Sequence, residues 1–197
     1  MATIVEHDKR RQEILQRALD VFIDEGYEDV TFQKIADRCG ITRTTLYIYF
    51  KNKREIFLWS IKQLTETLEV QLLEVVKDTS LSSEAALKKI FRIIIDVCQE
   101  NPKLFTVLLS YLIQLQKSGG DPEERVRRRV IKIRHIICIV LIRGMKSGEV
   151  KKVNLKATTE MLYSVFESAI FKIAVLNKTE ISDMIDVADV AIENLMA

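Results

Sequence analysis

The sequence predicts an all-α fold of about nine helices. Apolar residues recur at spacings of three and four almost throughout the chain, and no convincing stretch alternates with a period of two. Only two prolines and six glycines occur in 197 residues, and they lie between the periodic segments. Hydrophobic residues make up 48% of the chain, enough for a substantial core. The predicted helices cover residues 8–25, 32–39, 43–49, 53–77, 83–99, 102–116, 122–146, 155–177 and 181–196.

Capping residues mark the ends of these helices. Asn52, followed by Glu55, has the pattern of a capping box. Asn101 and Asp121 each precede a proline, which is favoured at the first position of a helix. Gly26 is predicted to end the first helix in the left-handed conformation.

Composition limits the classes of protein to consider. The formal net charge is only +2, so overall charge does not indicate a nucleic-acid partner. Cys39, Cys98 and Cys138 are widely spaced, as expected for reduced thiols. The longest apolar run, 136–142, is too short for a membrane span, and the charged N-terminus does not resemble a signal peptide. We therefore expect a cytoplasmic protein without a membrane partner.

Residues 31–50 carry the strongest functional signal, that of a helix-turn-helix. Thr31 and Thr42 are predicted to cap two short helices that are joined by a tight turn at Gly40. Leu46 and Phe50 are expected to point inward. The residues left outside combine hydroxyls, aromatic rings and a guanidinium, a surface suited to the DNA major groove: Arg43, Thr44, Thr45, Tyr47 and Tyr49.

Local charge favours the same interpretation. The segment 38–54 contains five basic residues and no acidic one, whereas 20–29 contains five acidic residues and no basic one. This segregation would orient a basic face toward phosphates. An ordinary solvated charge run is the alternative, but it does not explain the turn, the caps and the aromatic face.

Residues 8–57 resemble the N-terminal domain of the TetR family of regulators. The resemblance rests on Phe22–Tyr27, on the turn at 35–42 and above all on the stretch 45–53, TLYIYFKNK. Two positions depart from the family pattern, because Thr44 stands where many members have glycine and Ile48 where polar or aromatic residues are common. The resemblance therefore does not predict which bases of the operator the protein recognises.

The resemblance implies a role for each residue of the DNA-binding surface. Thr31, Thr42, Tyr47 and Lys53 would hold phosphates, whereas Arg43, Thr44, Thr45 and Tyr49 would approach base edges. It also implies a division into a DNA-binding domain, residues 1–52, and a regulatory, ligand-binding and dimerisation domain, residues 53–197.

The last two predicted helices have the pattern of a dimer interface. A second stripe on helix 155–177 has a heptad-like spacing and contains small residues, while the final helix is amphipathic. The alternative is that both faces pack only within the chain. The interface is predicted to contain Met161, Ser164, Ser168, Phe171, Val175, Met184 and Ala188.

A pocket for a small, mostly apolar effector is predicted between helix 53–77 and helices 102–116 and 122–146. Its candidate residues are Ser110, Tyr111, Gln114, Arg134 and Phe166. Arg134 would face an anionic ligand, although we favour the alternative of an ion pair between helices. The basic residues on one side of helix 122–146 are interpreted as a solvated face: Arg125, Arg128, Arg129, Lys132, Arg143 and Lys146.

An enzyme is the main alternative class. The chain has only two histidines and no phosphate-binding loop, nucleophile elbow or metal-ligand spacing. We expect no catalytic residues, metal or cofactor. A helical interaction protein that has lost DNA binding is a further alternative. The expected partners are double-stranded operator DNA, a second copy of the chain and an unidentified small-molecule effector.

Overall fold

The computed structural model describes residues 2–178 and 180–197 and confirms the all-α class. Within these residues there are nine helices and no strand, apart from one isolated bridge between Val150 and Met196. The helices are α1 (Ala2–Glu25), α2 (Phe32–Cys39), α3 (Arg43–Tyr49), α4 (Lys53–Lys77), α5 (Ser83–Glu100), α6 (Pro102–Lys117), α7 (Pro122–Ser147), α8 (Leu155–Ala174) and α9 (Asp183–Glu193).

Most predicted helix ends agree with the structure because the predicted caps are formed. The Asn52 side chain accepts a hydrogen bond from the Glu55 amide at 2.9 Å, and Gly26 has φ of 80°. The Glu55 carboxylate caps the amide of Lys51 rather than that of Asn52. Asn101 is the exception, since its side chain makes no cap bond and donates to the carbonyl of Val97 instead.

The largest differences from the predicted ends lie at α1, α8 and α9. Helix α1 begins at Ala2 rather than at residue 8, and α9 spans Asp183–Glu193 rather than 181–196. Ile181 and Leu195 lie outside α9 but are buried. Their apolar spacing matches that of the helix, which is why the predicted helix was too long. After α9 the chain pairs with the segment that precedes α8, since the Leu195 carbonyl accepts a bond from the Lys151 amide.

Two apolar cores share α4. The N-terminal core contains residues of α1, α2 and α3, the start of α4 as far as Ile61, and one face of α6 that includes Leu104, Val107 and Tyr111. The C-terminal core is built from α5, α7, α8 and α9 and from Leu72 and Val75 near the end of α4. Helix α4 is 25 residues long, about 37 Å, and is therefore anchored in both cores.

Helix α6 joins the two parts of the chain in a second place. It lies in the regulatory half of the sequence, yet its buried face belongs to the N-terminal core. The N-terminal core therefore extends well beyond residue 52. Among the described helices, none combines the length and the apolar composition of a membrane span.

Candidate DNA-binding surface and effector cleft

Side-chain caps begin both helices of the helix-turn-helix. Thr31 Oγ1 accepts a hydrogen bond from the Lys34 amide at 3.2 Å, and Thr42 Oγ1 accepts one from the Thr45 amide at 3.1 Å. Gly40 lies between the helices with φ of 66°, a conformation that favours glycine. The turn itself is closed by the amides of Gly40 and Ile41, which donate to the carbonyls of Asp37 and Ala36.

The outer face of α3 is exposed and partly preorganised. Tyr47 and Ile48 are 51% and 69% exposed, and Arg43 and Thr44 are exposed beside them. The Arg43 guanidinium donates to the Tyr47 hydroxyl at 3.2 Å. The Tyr47 ring packs 4.6 Å from that of Phe32. The hydroxyl and the guanidinium are thus presented together on the surface of a short, anchored helix.

Thr45 and Tyr49 are less accessible than the other predicted contacts. The Thr45 hydroxyl lies 2.8 Å from that of Thr42, in a half-buried position. The half-buried ring of Tyr49 stacks on His7 of α1, with 4.6 Å between ring centroids. Tyr49 is therefore oriented toward α1, and Ile48 is the more exposed residue of the last turn.

The ammonium of Lys53, which was predicted to hold a phosphate, is hydrogen-bonded within the chain. Its ammonium donates to the carbonyl oxygens of Tyr27 at 3.0 Å, Glu28 at 2.8 Å and Val30 at 3.0 Å. An ammonium has three N–H donors, so a phosphate contact would require the loss of one of these bonds. Lys53 fastens the start of α4 to the loop between α1 and α2.

Fewer cations of the basic segment 38–54 are available for DNA than its composition indicated, because two more of them have partners within the chain. Arg38 pairs with Asp24 at 3.1 Å, and the Arg54 Nε donates to the Tyr111 hydroxyl at 3.3 Å. Arg43 and Lys51 remain as exposed cations near α3. The acidic end of α1 neutralises part of the basic face because the two segments are packed against each other.

An aromatic cluster links α6 to the DNA-binding part of the chain. The Tyr111 ring lies 4.8 Å from that of Tyr27 and 5.1 Å from that of Phe57. Burial raises the pKa of Tyr27 to about 12, and the nearby Tyr111 hydroxyl adds to the effect. Tyr111 is therefore a core residue and not part of an open pocket.

The other predicted pocket residues do not meet in a cavity either. Phe166 is buried and stacks on Phe91 with 4.4 Å between centroids. Arg134 pairs with Glu160 at 2.7 Å and lies over the Tyr163 ring, which agrees with the favoured alternative of an ion pair between helices.

Two polar residues of α6 complete the predicted set. The exposed Ser110 donates to the carbonyl of Thr106 within its own helix, and Gln114 is half-buried. Their spacing of four residues places these two side chains on the same face of α6. Tyr111 lies in the N-terminal core and Phe166 in the C-terminal core, so the two aromatic members of the set belong to different clusters.

A cleft of about 580 Å³ lies between α4 and α7, two of the three helices between which the pocket was predicted, but other residues line it. Six basic and three acidic side chains line it, together with apolar residues that include the buried Leu72 and Ile136. The basic side of helix 122–146, interpreted from sequence as a solvated face, forms one wall of this cleft. The excess of basic residues over acidic ones in helix 122–146 was the signal in the sequence that could have predicted this charged cleft.

The exposed stripe of α8 agrees with the predicted interface, whereas the α9 residues do not. Met161, Phe171 and Val175 are about half exposed, at 46%, 52% and 49%, and Ser164 and Ser168 are exposed too. Met184 and Ala188 are buried in the C-terminal core. The opposite side of α9 is the exposed apolar one, through Val187 and Val190.

The fold and the exposed recognition helix define a helix-turn-helix transcriptional regulator that binds DNA. Residues 14–58 match the family model for bacterial regulatory proteins of the tetR family. Residues 14–58 therefore form a DNA-binding domain of the tetR type, and the whole chain is similar to TetR-family regulators.

Relatives and solved structures agree with this assignment. The fatty acid metabolism regulator protein of Bacillus subtilis is 22% identical over 162 residues, covering 80% of each chain. The activator FasR of Mycolicibacterium smegmatis is 36% identical over 61 residues, 31% of this chain and 28% of that protein.

Two solved structures show the similarity of the fold. The TetR transcription regulator from Haloarcula marismortui has a TM-score of 0.86 at 22% identity, covering 96% of this chain and 100% of that chain. FadR from Bacillus subtilis in complex with stearoyl-CoA has a TM-score of 0.73 at 20% identity, covering 94% and 97%.

Proposed function

We propose that the protein is a homodimeric repressor that binds a palindromic operator through α3 and leaves it when a small effector binds. The observation that carries the proposal is the exposed face of α3, where Arg43 and Tyr47 are held together on a capped helix. Arg43 and Thr44 approach base edges, and the Ile48 side chain contacts a thymine methyl. Thr31, Thr42 and Tyr47 hold phosphates and set the register.

The homodimer is proposed on the exposed apolar surface of the last two helices. The stripe on α8 and the Val187 and Val190 side of α9 would form a four-helix interface with a second copy. A two-fold dimer presents two recognition helices, which accounts for a palindromic operator. A regulator of chromosomal DNA acts in the cytoplasm.

Helix α4 supplies the connection between effector and DNA in this proposal. Two recognition helices must lie about 34–36 Å apart, or a multiple of it, to bind successive major grooves. Because α4 is anchored in both cores, a small shift at the cleft moves the N-terminal core and changes that distance.

The effector proposed for the cleft is an amphipathic molecule with an acyl chain. Its apolar residues suit a chain, but the charged lining replaces the mostly apolar pocket expected from sequence. The relatives support this class, since one regulates fatty acid metabolism and a solved neighbour contains stearoyl-CoA. This makes acyl compounds the first class to test.

A mobility-shift assay with DNA from beside the protein's own gene tests the proposal. We expect a specific complex that competitor DNA of random sequence does not displace, whereas random DNA should displace the complex of the Arg43→Ala variant more readily. The Arg92→Ala variant, altered at an exposed site on α5, is the control and should bind normally. Absence of any complex would favour the interaction protein that has lost DNA binding.

A further inference from the structure

The cleft between α4 and α7 has an unusual electrostatic character. Its basic residues outnumber its acidic ones by two to one, and the arginines all come from one helix, α7. Within the part of the chain that the structure describes, none of these arginines is in an ion pair. The two lysines of the cleft are paired with Glu66 and Glu69, so the positive charge without an ion pair comes from the arginines.

Arg129 is the most enclosed of these cations. Its Nε donates to Thr65 Oγ1 of α4 at 3.2 Å, and its Nη1 donates to the carbonyl of Arg125 at 3.3 Å. Burial lowers the pKa of Arg129, and only the more distant Glu66 opposes this effect. Neutral oxygen atoms thus satisfy part of a guanidinium whose natural partner is a bidentate anion.

Two side-chain contacts across the cleft tie α7 to α4. One is the Arg129–Thr65 hydrogen bond, and the other is the ion pair of Lys132 with Glu69 at 2.5 Å. An anion at Arg129 would compete directly for the donors of the first contact, and Lys132 is within one turn of it. The cationic wall that attracts an anion therefore also holds the helix that leads to the DNA-binding surface.

We propose that this cleft binds an anionic headgroup at Arg129 and Lys132, with an apolar tail against Leu72 and Ile136, and that the headgroup releases the Arg129–Thr65 contact. This inference rests on the proposed function, because it takes the cleft as the effector site. It specifies the ligand as an anionic amphipath with a phosphate or carboxylate head. A neutral lipid leaves the contacts between α7 and α4 intact.

Trp59 connects the cleft to α1. Its ring lines the cleft and lies between the Arg11 guanidinium, 4.3 Å from the ring centroid, and the Lys62 ammonium, 4.2 Å from it. It is the single tryptophan of the chain. A ligand that enters the cleft changes the surroundings of this ring, so tryptophan fluorescence reports binding at the proposed site.

The experiment titrates the full-length protein with decyl phosphate below its critical micelle concentration. Decanol, which lacks the charge, and inorganic phosphate, which lacks the tail, are titrated in parallel. We expect a saturable change of Trp59 fluorescence with decyl phosphate, with a dissociation constant at least tenfold lower than for either comparison compound. Calorimetry should give one ligand per chain.

Variants locate the headgroup. The Arg129→Gln variant should weaken decyl phosphate binding at least tenfold and leave decanol binding unchanged. The Arg92→Gln variant removes an exposed arginine of α5 and should bind as the wild type does. Thr65→Val removes the competing acceptor and should strengthen binding, a result that loss of folding cannot imitate.

The outcomes separate this inference from the proposed function. Equal affinity for decyl phosphate and decanol, or unchanged affinity in Arg129→Gln, would overturn the anionic headgroup while operator binding by the untreated protein remains. Failure of the untreated protein to bind operator DNA would overturn the proposed function, whereas the fluorescence titration would still show whether the cleft binds an anionic amphipath.

Discussion

The ammonium of Lys53 lies 3.0 Å from the carbonyl oxygen of Tyr27, and this contact joins the first residue of α4 to the loop that follows α1. Two further carbonyl oxygens in the same loop accept hydrogen bonds from the same ammonium. The helix that leads into the C-terminal core is therefore fastened to the DNA-binding part at its first residue.

Replacing Lys53 with methionine should destabilise the protein without removing a phosphate contact. The substitution keeps most of the stem but leaves partly buried carbonyl oxygens unsatisfied, and we expect a loss of about 1.5–3 kcal/mol in the free energy of unfolding. Chemical denaturation measures this loss. The control Lys51→Met alters an exposed neighbour and should have little effect.

The salt dependence of DNA binding discriminates between the two roles of Lys53. If the ammonium only binds the carbonyl oxygens of the loop, the slope of log DNA affinity against log salt concentration is the same in Lys53→Met as in the wild type. A slope lower by about 0.9 would mean that Lys53 neutralises one phosphate.

Arg43→Ala should relax the choice of base at one position of the operator by about 1–3 kcal/mol. The guanidinium is exposed and positioned by the Tyr47 hydroxyl, so its loss leaves the fold intact. Binding to a set of single-base operator variants measures the effect. Unchanged base preference at every position would show that another part of α3 makes the specific contact.

Phe171→Glu should convert a dimer into a folded monomer, because the charge enters the proposed interface without disturbing the C-terminal core. Light scattering and circular dichroism measure the two effects. Val70→Glu changes an apolar residue that is 57% exposed on α4 and should remain dimeric. A wild-type monomer at micromolar concentration would contradict the interface.

Met184→Glu should behave differently from Phe171→Glu. Met184 is 4% exposed inside the C-terminal core, so a carboxylate there is buried without a partner. We expect loss of the folded state in circular dichroism rather than a change of oligomeric state alone. A stable, folded monomer would place Met184 at the interface, as its spacing in the sequence indicated.

Tyr111→Ala should destabilise the protein by about 3–5 kcal/mol, the usual cost of removing a large buried aromatic side chain. The ring packs on Tyr27 and Phe57, so its loss also weakens the contact between α6 and the DNA-binding part. Thermal denaturation measures the loss. Tyr47→Ala, at a position 51% exposed, is the control and should change stability far less.

Effector and operator should weaken each other's binding by the same factor. This reciprocity follows from linkage for any ligand that shifts the protein between two states. Decyl phosphate titrated with and without operator DNA, followed by calorimetry, measures the factor. Equal affinity in both titrations would exclude coupling between the cleft and α3.

The helices and the recognition element were predictable from the sequence because both depend on local chemistry. Apolar spacing and capping residues act within a few positions along the chain, so the Thr31 and Thr42 caps and the turn at Gly40 were predictable. The exposed stripe of α8 was predictable for the same reason, since period and residue size distinguish its two faces.

The partner of each side chain, in contrast, depends on how the helices pack. The sequence indicates a free cation at Lys53, but the loop between α1 and α2 places three carbonyl oxygens against its ammonium. The spacing of Met184 is compatible with a core position and with an interface position on α9, and the packing places it in the C-terminal core. Likewise, the arginines of α7 became one wall of a cleft only when α4 packed beside them. Such contacts depend on helix packing between distant segments, which the spacing of residues within one helix does not specify.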